Sequence, residues 1–293
     1  MEKVFILILL VFQSIIGFSQ NFKANSKVSL MIAMDDLNSS TISYVKENNN
    51  VNYLAVVYGD HIYPNNSRKF NRVTLRKEIE KLFPDPNSKG YGMLDWEGPV
   101  YNTLVGLSKD DVKYNESLNE FLNTLRFAKQ LRPNVKWGFF NIPLRRNFYK
   151  TISEWDSYIS KLTPLIQESD VLYMAFYKNY KVQDPNVESI KKMIQLSQKY
   201  GVQSYAVVWD RFDSIDKSIR HDLIPKSEFI EYMDNILKIQ NNGNYINGIV
   251  WWGRDTWFYN ANKNKLPVAR RSLNNFKSDY NKRVRDYVRE IIK

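Results

Sequence analysis

Residues 91–99 read Tyr-Gly-Met-Leu-Asp-Trp-Glu-Gly-Pro, a short apolar run that leads directly into two carboxylates. In an extended strand, residues i and i+2 face the same side, so Asp95 and Glu97 point one way and Trp96 points the other. The acids stand where a buried strand ends, and in a parallel α/β barrel that end of the strand carries the functional groups. The stretch therefore predicts a strand that closes on a pair of neighbouring carboxyl groups.

Paired carboxyl groups have a specific chemical use. Two carboxylates about 6.5 Å apart along a strand suit the cleavage of a glycosidic bond, for which one acid stays protonated and the other stays ionised. The same tripeptide also occurs as a solvated or ion-paired acidic pair, and the tripeptide alone leaves both interpretations open.

The first residues have the pattern of an export signal. Lys3 supplies a positive charge, Val4 to Ile16 form an apolar run, and Gly17 and Ser19 are the small residues of a cleavage site. The run is shorter than the roughly 20 residues that span a bilayer, so a membrane anchor is the weaker interpretation. We expect a signal peptide over residues 1–19, a single barrel domain over residues 20–293, no membrane span, and export to the periplasm or the outside of the cell.

Composition excludes several kinds of site. The chain has no cysteine, which excludes disulfides and thiol catalysis, and its two histidines, His61 and His221, are too few and too far apart to predict a zinc centre or a Ser-His-Asp triad. We expect no metal and no cofactor. The net charge of +11 is concentrated beyond Lys263 in a segment with helical spacing of apolar residues. A basic solvated helix face explains it, attraction to an anionic polysaccharide is an alternative, and a nucleic-acid partner is not expected.

Short apolar runs alternate with amphipathic stretches along the chain, which predicts repeated βα units. Seven strands over this length favour a distorted (β/α) barrel of the TIM type, and a doubly wound open sheet is the alternative. The predicted strands are Val28–Met34, Tyr53–Tyr58, Gly92–Trp96, Lys136–Phe140, Val171–Phe176, Ser204–Trp209 and Gly248–Trp252. The predicted helices lie near Val73–Phe83, Glu116–Leu131, Ile152–Glu168, Pro185–Tyr200 and Lys226–Gln240.

Polar and aromatic residues follow these strands at the ends where a barrel places its chemistry. They are Asp35 and Asp36, Asp60, Asp95 and Glu97, Asn141, Tyr177, Asp210 and Arg211, and Trp252. Tyr58 and Tyr205, within their strands, are further candidates for contact with a substrate.

Several segments, in order and with similar spacing, resemble the animal and venom hyaluronidases over roughly residues 50 to 255. The matching segments are Val57-Tyr58 to Ile62-Tyr63-Pro64, Leu94-Asp95-Trp96-Glu97, Leu131-Arg132-Pro133 with Trp137-Gly138-Phe139-Phe140 and Pro143, Leu172 to Tyr177, and Gly248-Ile249-Val250-Trp251-Trp252.

The resemblance implies a distorted barrel and a retaining endo-glycosidase that acts on β-linked N-acetylhexosamine, whose own acetamido oxygen attacks the anomeric carbon. It implies that Glu97 is the general acid and then the base, that Asp95 orients the acetamido group, that Tyr177 hydrogen-bonds this group, and that Trp252 forms a wall of the sugar site. We expect the neighbouring carboxylate to raise the pKa of Glu97 and so keep it protonated. Asn141, Tyr58, Tyr205 and Asp210 are expected to contact the glycan.

The departures from the family concern recognition of the substrate. Phe140 stands where the family has a tyrosine, and the residues after Glu97 lack the arginine that would bind a glycan carboxylate. Three interpretations remain open: a hyaluronidase-like hydrolase, an enzyme of the chitinase or endo-N-acetylglucosaminidase kind, and a catalytically silent barrel that binds glycans. We expect a monomer in each case.

Overall fold

The structure is a computed structural model that describes residues 29–48, 51–148, 150–179, 187–262 and 272–291. The predicted signal peptide, residue 28 of the first predicted strand and residues 185–186 of the fourth predicted helix lie outside these ranges. The export signal therefore stays a prediction.

In the described residues, seven strands form one parallel sheet in the order β4-β3-β2-β1-β7-β6-β5. The gap between β4 and β5 is bridged by backbone hydrogen bonds from Asp170 to Trp137 (2.8 Å) and from Asn141 to Tyr173 (2.6 Å), so the barrel is nearly closed. The predicted TIM-type barrel is confirmed, and the open sheet is wrong. The strands are β1 Ser29–Met34, β2 Val51–Tyr58, β3 Gly90–Asp95, β4 Val135–Phe139, β5 Val171–Ala175, β6 Gln203–Trp209 and β7 Gly248–Gly253.

Helices cover the outside of the sheet, and within the described ranges none is both long and apolar enough to cross a bilayer. The single helix predicted over Ile152–Glu168 is wrong, because Pro164 starts a new helix after Leu162. The helices are α1 Ser39–Lys46, α2 Gly59–Ile62, α3 Arg72–Leu82, α4 Pro99–Gly106, α5 Val112–Leu131, α6 Ile152–Lys161, α7 Thr163–Glu168, α8 Val187–Tyr200, α9 Lys226–Lys238, α10 Asp255–Asn262 and α11 Leu273–Ile291.

The core has two layers, because side chains of each strand alternate between the barrel interior and the helices. Met93 belongs to the interior cluster, whereas Leu94 and Trp96 belong to the outer one. Trp96 is buried and stacks on Phe121 of α5 with a ring separation of 4.6 Å. The alternation expected around the two acids is therefore observed, and Asp95 continues the interior row.

The basic C-terminal helix α11 is joined to the barrel by buried charges. Arg283 of this helix pairs with Asp210 (2.8 Å) at the end of β6 and with Asp255 (2.7 Å) at the start of α10. Arg211 lies 3.3 Å from the same oxygen of Asp255. Asp210 is only 1% exposed. The carboxylate of Asp210 thus serves this ion-pair network, and its contact with substrate stays a prediction.

Loss of Arg283 should destabilise the protein strongly. In Arg283→Ala, the carboxylates of Asp210 and Asp255 lose their shared cation while they stay buried, and such a loss costs about 3–5 kcal/mol in unfolding free energy. Urea unfolding measures the effect, and Lys282→Ala, at the exposed neighbouring position of the same helix, is the matched control. Equal stability of the two variants would contradict the role given to Arg283.

Candidate active site

The carboxyl ends of the strands bring five predicted residues to one rim of the barrel. Asp95 is the last residue of β3, and its Cα is paired in register with Tyr58 at the end of β2. Tyr177 follows β5, and Trp252 lies near the end of β7. Glu97 follows Asp95 after one residue, and the charges of both acids act on the buried Tyr177 hydroxyl. The structure therefore places Glu97, Asp95, Tyr177, Trp252 and Tyr58 around one site.

Aromatic rings form one wall of this site. Tyr177 stacks on Trp252 with a ring separation of 5.7 Å and an interplanar angle of 23°. Trp209, at the end of β6, packs edge-on against Trp252 at 5.4 Å, and Phe140 lies 6.1 Å from Tyr177. A sugar ring presents an apolar face of C–H groups, and rigid aromatic surfaces of this kind bind such a face at low entropic cost.

The sequence Asp-Trp-Glu-Gly-Pro turns the chain sharply after β3. Gly98 adopts φ = 111°, which other residues rarely adopt, and Pro99 begins α4. The Tyr63 hydroxyl donates a hydrogen bond to the backbone carbonyl of Glu97, and its ring stacks on Trp96 at 5.6 Å. The backbone on both sides of Glu97 is thus anchored, while its side chain is exposed to solvent.

Asp95 has the more strongly perturbed carboxyl group. Burial first, and then the negative charge of Glu97, raise the pKa of Asp95 to about 8, and the positive charge of Arg254 opposes this rise. Its Oδ1 atom is buried and has no hydrogen-bond partner in the described parts of the chain. Such an atom is costly unless a ligand pairs with it, and it therefore marks a place where a donor group can bind.

Glu97 is reached by solvent, yet the protein around it removes part of its hydration and raises its pKa. The expected cause of a raised Glu97 pKa was the negative charge of the neighbouring carboxylate. That expectation is wrong for the free protein, because the charge of Glu97 acts on the more deeply buried Asp95. With a pKa of about 8, Asp95 is protonated at neutral pH in the free protein.

Arg254 is a site residue that sequence reasoning missed. It follows β7 directly, its guanidinium lies 4.0 Å from the centre of the Tyr58 ring, and its Nε is 3.0 Å from Asp35 Oδ2. Asp35 follows β1, so three strand ends meet in this contact. The sequence contained a signal, since Arg254 lies two residues after the predicted strand that ends at Trp252, but no motif marks an arginine at that position.

Two predicted substrate contacts have other roles. Tyr205 is 2% exposed and lies inside the barrel, where the hydroxyl of Ser29, at the start of β1, donates to its hydroxyl (3.2 Å). Tyr205 therefore lies in the amino-terminal half of the barrel and not at the rim, and its contact with substrate stays a prediction. Asn141 is half-buried, and its Oδ1 accepts from the backbone N–H of Ala175 at 3.4 Å. Asn141 thus helps to close the barrel, and its contact with substrate stays a prediction.

The raised pKa of Asp95 predicts how the unfolding free energy depends on pH. A folded-state pKa of about 8, against about 4 in the unfolded chain, means that the folded protein binds the extra proton. The unfolding free energy therefore falls as pH rises from about 4 to about 8. Asp95→Asn removes this dependence, so we expect its stability relative to wild type to increase over that range and then to level off.

Urea unfolding of Asp95→Asn and wild type at several pH values measures this difference, with Asp110→Asn as the control at an exposed aspartate. A stability difference that does not change with pH would contradict the raised pKa of Asp95.

No protein-family model matches the chain, and no curated protein matches its sequence. Solved structures do match its fold. Bee venom hyaluronidase, in a monoclinic crystal, superposes with a TM-score of 0.57 at 16% identity, over 83% of this chain and 100% of that one. The same enzyme in complex with a hyaluronic acid tetramer gives a TM-score of 0.56 at 15% identity, over 82% and 98% of the two chains. At this identity the likeness establishes the fold: the chain adopts the TIM-type barrel seen in bee venom hyaluronidase.

Proposed function

We propose that the protein is a secreted glycoside hydrolase that cleaves a polysaccharide containing β-linked N-acetylhexosamine, with retention of configuration. The observation that carries the proposal is the pair of carboxyl groups of Asp95 and Glu97 at the end of β3, whose charges act on Tyr177, the ring that stacks on Trp252. Burial raises the pKa of Asp95 to about 8. The fold shared with bee venom hyaluronidase supports the same reaction class.

Binding of an N-acetyl group would move the proton of Asp95 to Glu97. The N–H of the acetamido group would donate to the unpaired Oδ1 of Asp95 and so favour its ionised form. The sugar would also displace water from Glu97, which raises the pKa of that exposed group further. Both effects transfer the proton from Asp95 to Glu97. In this mechanism, Asp95 is protonated in the free protein and Glu97 is protonated in the complex with substrate.

The reaction then follows from the positions of these groups. Glu97 donates its proton to the leaving oxygen while the acetamido oxygen attacks the anomeric carbon. Asp95 stabilises the positive charge of the cyclic intermediate, and the Tyr177 hydroxyl hydrogen-bonds the acetamido group. Glu97 next removes a proton from water, which opens the intermediate. Trp252 supplies the surface on which the reacting sugar rests.

Removal of the acid should abolish turnover. We expect Glu97→Gln to reduce the hydrolysis rate by at least about a hundredfold, because the amide cannot protonate the leaving oxygen. The measurement is the release of reducing ends from hyaluronan, chondroitin, chitin oligomers, peptidoglycan and heparosan.

The matched control is Glu116→Gln, which changes an exposed glutamate of α5 in the same way. Thermal unfolding of both variants shows whether the fold is kept. Activity of Glu97→Gln equal to that of the control, on any polymer that the wild type cleaves, would rule out Glu97 as the acid.

A mimic of the cyclic intermediate should inhibit the enzyme. An N-acetylhexosamine thiazoline has the shape of the bicyclic intermediate, so we expect it to compete with substrate and to bind more weakly to Asp95→Asn. NMR of the first product gives the anomeric configuration. Inversion of that configuration, together with no inhibition by the thiazoline, would replace acetamido participation with direct attack by water.

A further inference from the structure

The barrel wall opens between β1 and β2 beside the catalytic rim. Pairing of these strands ends at Ile32 and Tyr53. The pairing of β1 with β7 continues to Met34, and that of β2 with β3 continues to Tyr58. The two strands therefore separate towards their carboxyl ends, and a cavity of about 460 Å³ occupies the opening. That volume lies within the range of small-molecule sites, roughly 300 to 1,000 Å³.

The lining of this cavity, which we call the β1–β2 cavity, combines aromatic rings with hydrogen-bonding groups. Trp257 of α10 is 50% exposed and Tyr53 of β2 is 41% exposed, although large aromatic side chains are usually buried. Carboxylates of Asp35, Asp36 and Glu78 lie around them. Aromatic faces beside acceptors for hydroxyl groups are suited to a sugar ring, which has apolar C–H faces and a polar edge.

The charges of the cavity favour a neutral ligand. Glu78 lies 2.9 Å from Lys81 Nζ and 3.8 Å from His61 Nε2. Asp35 pairs with Arg254 at 3.0 Å. Each of these three basic side chains of the lining is thus close to a carboxylate already. An anionic group would have to compete with these carboxylates, whereas the hydroxyl groups of a neutral sugar can donate to them without breaking the ion pairs.

We propose that the β1–β2 cavity is a second carbohydrate-binding site, which takes a neutral sugar ring against Trp257 and Tyr53. Tyr58 lines this cavity and also stands beside Asp95 at the rim. A sugar in the cavity is therefore a neighbour of the sugar that reacts, and the substrate is a glycan with a neutral unit next to its N-acetylhexosamine. This last statement rests on the proposed function, whereas binding of a sugar in the cavity does not.

The test measures binding of sugars that lack an N-acetyl group, and variants of the cavity lining separate binding in the cavity from binding at the catalytic site. The probes are methyl β-glucoside, methyl β-galactoside and methyl α-mannoside, with methyl β-glucuronide as the charged comparison, and saturation-transfer NMR on the whole protein gives the dissociation constants. We expect at least one neutral glycoside to bind, and Trp257→Ala to weaken its binding at least about fivefold. Tyr245→Ala, at an exposed tyrosine of similar accessibility outside the cavity lining, should bind as the wild type does.

A second variant fills the cavity without removing a ring. Asn260 is exposed and lines the cavity, so Asn260→Trp should occupy the space and abolish binding while the fold is kept. The proposal is overturned if no neutral glycoside binds, if Trp257→Ala and Asn260→Trp bind as the wild type does, or if the glucuronide binds most tightly. Binding that depends on Trp257, in a protein that cleaves none of the polymers, would reject the proposed hydrolase and keep the sugar site. Cleavage of a polymer without such binding would keep the proposed hydrolase and reject the sugar site.

Discussion

The free energy of ionising a buried carboxyl group is the constraint around which the rim is built. Asp95 ends an interior row of side chains, so its charge would lie in a poorly hydrated space next to Glu97. Burial raises the pKa of Asp95 to about 8, and the positive charge of Arg254, whose guanidinium packs on the ring of Tyr58, opposes that rise. A buried carboxyl oxygen without a hydrogen-bond partner costs free energy in the free protein. A ligand that donates a hydrogen bond to this oxygen removes that cost.

The positions of these groups depend on the rigidity of the strand ends. Arg283 ties the ends of β6 and β7 to the C-terminal helix through Asp210 and Asp255. Trp209 directly precedes Asp210, and Trp252 lies shortly before Asp255 in the chain. The rings of both tryptophans contact the ring of Tyr177. The basic C-terminal segment is therefore more than a solvated face, because Arg283 is a structural partner of the aromatic wall.

Strand positions could be predicted because apolar runs of barrel strands are interrupted by polar turns, and each observed strand begins and ends within two residues of its prediction. Alternation places two adjacent tryptophans on opposite sides of the sheet. Trp251 stacks on Tyr287 of α11, and Trp252 stacks on Tyr177. The height of a residue in the barrel could not be predicted in this way. Tyr205 lies inside the barrel, but near the start of β1 and not at the rim.

Long-range charge pairing was the other feature that the sequence concealed. Asp210 follows a strand and so has the pattern of a rim carboxylate, yet its partner is 73 positions away on another element. For Arg254 the opposite holds: no sequence pattern predicts a role at the rim, and only the folded chain brings it to Tyr58 and Asp35. Local patterns identify which residues reach the rim, whereas the partner that each charged group finds there depends on the packing of distant elements.

The ion pair of Arg254 bears on the charge of the proposed glycan substrate. The chain lacks an arginine after Glu97, and Arg254 could be regarded as its replacement for binding a uronate. Its guanidinium, however, is already held by Asp35 and by the face of Tyr58, and its field acts on Asp95. A glycan carboxylate would have to break this ion pair and would at the same time oppose ionisation of Asp95. Under the proposed function, the rim is therefore better suited to a neutral sugar close to the reacting bond, and the net charge of +11 would act on an anionic polymer only at long range.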